Sequence, residues 1–191
     1  MMAMFALLSI FGSSAFLILL TLLHFLKPEI SPWWRLISEY AIGRYGLLMR
    51  LAFWGLALGV LSFVMARVES GGGQFSLIAL SVIGLVLIAA GYFVSNPITV
   101  ADDDKTLTGK IHDFCGGIVI VGFPLTICFV KGNVLPLTML VWLGFLYFIG
   151  SVIFYLSKTK TFGPKAKVGP ANRLMMLTYA LWLIVHAALL L

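Results

Sequence analysis

His112 and Asp113 are neighbours in Thr-Gly-Lys-Ile-His-Asp, residues 108–113. This segment follows Asp102, Asp103 and Asp104 and opens a stretch that stays apolar to Val130. A histidine with a carboxylate is the least that general acid–base chemistry requires, with His112 as base and Asp113 or Glu39 orienting it. Ionisable groups inside apolar segments are costly, and they mark binding or proton-handling positions by default. His24 and Arg50 fall close to apolar segments in the same way. His112, Asp113 and Glu39 are therefore the catalytic candidates, and His112, Glu39, Arg50, Asp113, Gly109 and His24 the binding candidates. Adjacent helical residues point about 100° apart, which counts against a direct His112–Asp113 hydrogen bond. Zinc accepts His and carboxylate ligands, but no tight pair such as H-x-x-x-H occurs, so no metal is expected. His24, His112 and His186 offer no facing pair at mid-membrane depth for haem. Nucleophile-elbow, P-loop and dinucleotide fingerprints are absent, so no cofactor is expected either.

The surroundings of these residues follow from composition. The chain has 191 residues, 61% hydrophobic and 10% charged, where a soluble domain carries about 45–50% and about 25%. A membrane solvent accommodates that excess. The net charge of +6 is scattered over short loops without a basic arm or an aromatic platform, so nucleic acid is not an expected partner. Cys115 and Cys128 share one apolar segment. On a regular helix their sulfurs would lie about 20 Å apart, which excludes a disulfide and leaves two buried thiols.

Six apolar segments are long enough to cross the hydrocarbon: 3–26, 46–66, 75–95, 108–130, 136–157 and 171–191. The first lacks a basic n-region and a cleavage site and reads as a retained span. Ser70-Gly71-Gly72-Gly73 and Lys131-Gly132-Asn133 supply tight reversals. The expected fold is an all-α, polytopic six-helix membrane bundle forming a single transmembrane domain. Eleven of the 13 Lys and Arg residues fall at the ends of the first, third and fifth spans and the starts of the others; only Arg67 and Lys131 fall opposite. The positive-inside rule then puts that end in the cytoplasm and both termini outside. Ser31 as N-cap and Pro32 at the first helical position predict a short interfacial helix after the first span, with Trp33, Leu36, Ile37, Tyr40 and Ala41 on one face. Gly55 with Gly59, and Gly84 with Gly91, predict close helix packing.

On the fourth span, Gly109, His112, Asp113 and Gly116 recur at i, i+3, i+4 and i+7 and share one face. The glycines would leave room in front of His112, and Pro124 weakens the helix further along. An equally local reading is a well-made helix start, with Thr106 or Thr108 as N-cap, acids at the positive end and Lys110 reaching the headgroups. Arg50 either pairs with Asp113 or Glu39 or reaches the interface. Arg35 and Glu39 form an i, i+4 pair, expected to be a weak surface contact. His24 and His186 read more simply as packed histidines than as ligands.

The stretches Ile-Ser-Glu-Tyr-Ala-Ile-Gly-Arg-Tyr-Gly after the first span and Asn-Pro-Ile-Thr-Val-Ala-Asp-Asp-Asp-Lys-Thr-Leu-Thr-Gly-Lys-Ile-His-Asp before the fourth carry a resemblance. The chain resembles the domain of unknown function 998 family, small six-helix integral membrane proteins of bacteria and archaea. The matching positions are Ile37, Ser38, Glu39 and Tyr40, then Pro97, one of Asp102–Asp104, Thr106, Gly109, His112 and Asp113. The resemblance implies no known reaction; it implies that Glu39 and His112 belong to one site on the cytoplasmic side. The expected function is a polar cavity that binds or moves a lipid or small polar molecule, with membrane lipids as partners. A lipid-active hydrolase using a His/carboxylate pair and a structural or assembly subunit are the alternatives, and homo-oligomerisation stays open.

Overall fold

The computed structural model describes all 191 residues. It contains six α-helices and no strand: α1 Met2–Leu26, α2 Gly46–Glu69, α3 Gln74–Tyr92, α4 Leu107–Ile127, α5 Leu135–Thr159 and α6 Gly169–Ala188. Helices α1 to α5 are long and apolar enough to cross a membrane. Helix α6 falls outside that set; it carries Asn172 and Arg173 in its first turns, and more than half of its residues are buried. The protein is thus a helical membrane bundle. Gly71 and Gly132 take φ of +74° and +67° in the α2–α3 and α4–α5 turns, the left-handed region that favours glycine.

The helices form an incomplete ring. α4 packs on α3, α3 on α2, α2 on α1, α1 on α6 and α6 on α5, while α4 and α5 touch only sparsely. A cluster of rings closes the bundle toward the end where α2, α4 and α6 finish. Trp182 of α6 meets Phe63 of α2 and Phe123 of α4 edge-on, at 5.5 and 5.7 Å between centroids. Its indole N–H donates to Thr138 Oγ1 of α5 over 3.3 Å. Phe123 also stacks on Tyr179 at 4.6 Å. Pro124 has no N–H for the Ile120 carbonyl four residues back, and the Tyr179 hydroxyl donates there instead, over 2.7 Å.

The expected interfacial helix does not form. Residues 32–35 make a turn, Leu36 is extended (φ −78°, ψ 155°), and a short 3₁₀ turn, Ile37–Ala41, follows. The reason lies in where the N–H groups go. A continuous helix would send the Leu36 and Ile37 N–H groups to the carbonyls four residues back. The first instead donates to Glu39 Oε1 and the second to Asn172 Oδ1, each over 3.0 Å. The Trp33 carbonyl takes the Gly169 N–H at 3.2 Å. Tyr40 is fully buried rather than at headgroup level. Cys128 is exposed, against expectation, and both cysteines are free.

The glycine pairs mark real crossings. A Cβ on Gly12 would strike Gly55 O and Gly59 N, and one on Gly91 would lie 2.6 Å from the Trp54 indole nitrogen. Gly150 faces open space. Gly12→Ala should therefore cost about 1–3 kcal/mol, as overpacking does. Gly150→Ala should stay within about 0.5 kcal/mol. Reversible unfolding of the purified protein in mixed detergent micelles measures both.

Candidate functional site

At the end of the bundle where α1, α3 and α5 finish, a cavity of about 610 Å³ lies beside the loosely closed α4–α5 seam. Such volumes fall within the about 300–1,000 Å³ usual for small-molecule sites. Its walls come from α2 (Phe53), α3 (Leu87, Ala90), α4 (His112 to Ile120), α5 (Phe148, Leu156) and α6 (Asn172, Met176). Along α4 it runs from His112 to Ile120, about 12 Å of helix axis. The α3–α4 connection forms its roof, from Asn96 to Lys105, together with Leu36 to Glu39.

Glu39 holds that roof. It is 1% exposed, and its three partners come from two segments. Oε1 accepts the Leu36 N–H, a reach back to the residue that caps the turn. Oε2 accepts the Ile98 N–H of the α3–α4 connection over 3.0 Å. Arg35 Nε lies 2.8 Å from Oε2, a charge contact not aligned as a hydrogen bond. The pair is thus largely buried, unlike the weak surface contact expected. Burial pushes the Glu39 carboxyl above the ordinary glutamate range, while the Ile98 amide, Arg35, the Leu36 amide and Arg173 pull it down.

His112 and Asp113 diverge. His112 is 5% exposed. Its Nδ1 lies 2.9 Å from the Ala90 carbonyl and 2.8 Å from that of Phe93. Both partners only accept, so Nδ1 carries the proton, and the ring caps the open C-terminus of α3. Nε2 has no protein partner. Asp113 is exposed and accepts from Lys105 Nζ at 2.7 Å, and Lys105 lies the same distance from Asp102 Oδ1. Asp102 holds the Lys105 ammonium above its ordinary range, with Asp113 adding to it. The start of α4 also conforms to the local reading: Thr106 caps it, accepting the Gly109 N–H at 3.1 Å.

The remaining candidates lie outside the cavity. A Cβ on Gly109 would strike Asn96 Oδ1, so this glycine makes way for Asn96, not for His112. Asn96 Oδ1 accepts from Thr106 N and Oγ1, both at 3.0 Å, and ties the roof to α4. Arg50 pairs with neither Asp113 nor Glu39; its Nε donates to the Gly91 carbonyl over 2.9 Å and its guanidinium lies over Trp54. His24 accepts from Arg173 Nε at 2.8 Å, and its Nδ1 faces Leu20 O at 2.7 Å. Arg173 also donates to Arg35 O and Tyr40 Oη. His186 is held alike by Val134 N and Trp182 O. No three His, Cys, Asp or Glu side chains come together in reach of one ion.

Sequence reasoning missed Asn172 and Lys160. Asn172 is 5% exposed and lines the cavity. An intramembrane Asn on α6 was the available signal. Lys160 lines it from the end of α5 with φ of +64°, a conformation that costs an ordinary side chain about 1–2 kcal/mol.

A family model described as "Protein of unknown function (DUF998)" matches residues 10–189. No curated protein and no solved structure matches the chain.

The Glu39 carboxyl gives a pH dependence with a definite sign. A raised folded-state pKa means the native protein binds this proton more tightly than the unfolded chain does. The contribution is full below the ordinary value of 4.5 and is lost as pH rises through the folded value. The stability of the wild type relative to Glu39→Gln should therefore fall from acid to neutral pH. Parallel unfolding curves for the two proteins across that window measure it; a difference that grows with pH contradicts it.

Proposed function

The chain belongs to the DUF998 family of proteins of unknown function, and we propose that it binds a membrane lipid or similar amphiphile in the cavity beside α4 and α5. One observation carries this reading: the cavity is apolar along α4 to α6, polar under its roof, and adjoins the seam at which the helix ring is least closed. Gly116 and Gly117 line it, and a Cβ on either would meet nothing within 4 Å. An amphiphile entering sideways from the bilayer would leave its chain against Val119, Ile120, Phe148 and Met176 and its polar group beneath Glu39 and His112. The bias of Lys and Arg supports a cytoplasmic position for this polar end, and on this reading the ligand comes from the inner leaflet of the cell membrane.

The hydrolase reading has less in its favour. Asp113 is taken by Lys105, Glu39 by two amides and Arg35, and His112 Nδ1 by two carbonyls. No carboxylate is left to orient the imidazole, which general-base work on a hydroxyl or water would use.

A Cβ at position 116 meets nothing within 4 Å, so Gly116→Phe adds its ring on the cavity side of α4. Native mass spectrometry of protein extracted from its own membrane should show a lipid adduct on the wild type. On the variant, lipid affinity should fall about tenfold or more, the equivalent of overpacking a fitted site. A wild type that carries no adduct, or a variant that carries as much, rejects the reading.

A further inference from the structure

Resting on that reading of the cavity, we infer that the polar group it receives is an oxyanion, a phosphate or carboxylate, held by the Lys160 ammonium and the Asn172 amide. The charged and polar groups of the lining divide into those with partners and those without. Three carboxylates line the cavity, and each already has its cations and donors. Glu39 has two amides and Arg35; Asp102 and Asp113 share Lys105. Asp102 is also 92% exposed at the outer rim, where water screens it. Of the two lysines in the lining, Lys105 is thus paired, and Lys160, exposed at the rim, has an ammonium with no ion-pair or hydrogen-bond partner.

Asn172 adds a second donor. Its Oδ1 accepts the Ile37 N–H at 3.0 Å. A backbone N–H needs an acceptor, so this contact fixes which way the amide faces and leaves its NH₂ free. The side chain is more than nine-tenths buried, lines the cavity, and its NH₂ has no protein partner. An unspent ammonium with an unspent amide N–H matches an oxyanion, which accepts hydrogen bonds and carries the opposite charge.

The backbone at Lys160 points the same way. Position 160 ends α5 in the left-handed conformation, φ +64° and ψ −17°, where glycine or asparagine is the usual occupant. Backbone strain retained at the rim of a cavity directs attention to the side chain it presents. The same geometry makes the test clean: Lys160→Gly and Lys160→Asn suit that conformation better than lysine does, so both should fold at least as well as the wild type.

The test uses the full chain in nanodiscs of neutral lipid. Phosphatidic acid and diacylglycerol with identical acyl chains, and inorganic phosphate alone, are titrated with thermal shift and native mass spectrometry as readouts. Phosphatidic acid should bind about tenfold or more tightly than diacylglycerol, as a charge-assisted contact implies. Lys160→Gly and Lys160→Asn should bring it down to the diacylglycerol level at undiminished melting temperature, and Lys160→Arg should retain the preference. Asn172→Asp, which keeps the oxygen for Ile37, should weaken phosphatidic acid and spare diacylglycerol. Equal binding of the two lipids, tighter binding of a cationic or neutral lipid, or phosphatidic acid binding unaffected by Lys160→Gly overturns the inference while leaving the amphiphile reading intact. Lys160-dependent binding of inorganic phosphate with no lipid bound does the reverse: the oxyanion site stands and its source is soluble.

Discussion

A carboxylate buried in a membrane protein has to be met by donors, because neither lipid nor a dry interior supplies them. Glu39 meets that condition by recruiting segments that are distant in the chain. Its own turn gives the Leu36 N–H, the α3–α4 connection gives the Ile98 N–H, and Arg35 gives the charge. Asn172 then holds the same turn to α6 through the Ile37 N–H. Once these contacts form, the 36–41 turn, the roof over the cavity and the start of α6 have fixed places relative to each other. The loss of the expected interfacial helix is part of the same arrangement. Its N–H groups are the ones that Glu39 and Asn172 accept, so the turn cannot also be a regular helix.

The three histidines show how one residue type divides between packing and an open site. Each has Nδ1 beside a backbone carbonyl: Leu20 for His24, Ala90 and Phe93 for His112, and Trp182 for His186. At His24 and His186 the other nitrogen is also engaged, by Arg173 Nε and the Val134 N–H. These two are fully satisfied struts. His112 alone keeps Nε2 without a protein partner, and it alone lines the cavity. The difference comes from what packs opposite each ring, about which sequence position says nothing.

What could be read from the sequence follows the same physics. Helix number, the glycine reversals and the Gly55/Gly59 crossing were legible because length, apolarity and backbone demands are local properties. The Thr106 cap was legible for the same reason. The convergence of Glu39 and His112 on one cavity was implied by family resemblance and not derivable from spacing. Neither ion pair open to Arg50 forms, because its choice of the Gly91 carbonyl depends on how α3 ends against α2. Asn172 and Lys160 stayed invisible because their importance rests on a count of spent and unspent partners. That count exists only after residues more than 50 positions apart in the chain have been brought together.

Glycine carries two opposite functions in this bundle, and the structure separates them by what a side chain would meet. At Gly12, Gly59, Gly91 and Gly144 an added Cβ would strike backbone or side-chain atoms within 3 Å, so the missing side chain lets helices touch. At Gly116, Gly117 and Gly150 it would meet nothing. Close packing cannot explain glycine there, and glycine in a helix interior costs about 0.5–1 kcal/mol relative to alanine. Two of those three line the cavity, on the face of α4 that α5 leaves largely uncovered. Larger residues at 116 and 117 would narrow the cavity and help to seal the ring between α4 and α5. The helix ring is therefore complete where the Trp182 cluster ties α2, α4, α5 and α6 together, and it stays open where α4 carries hydrogen in place of side chains.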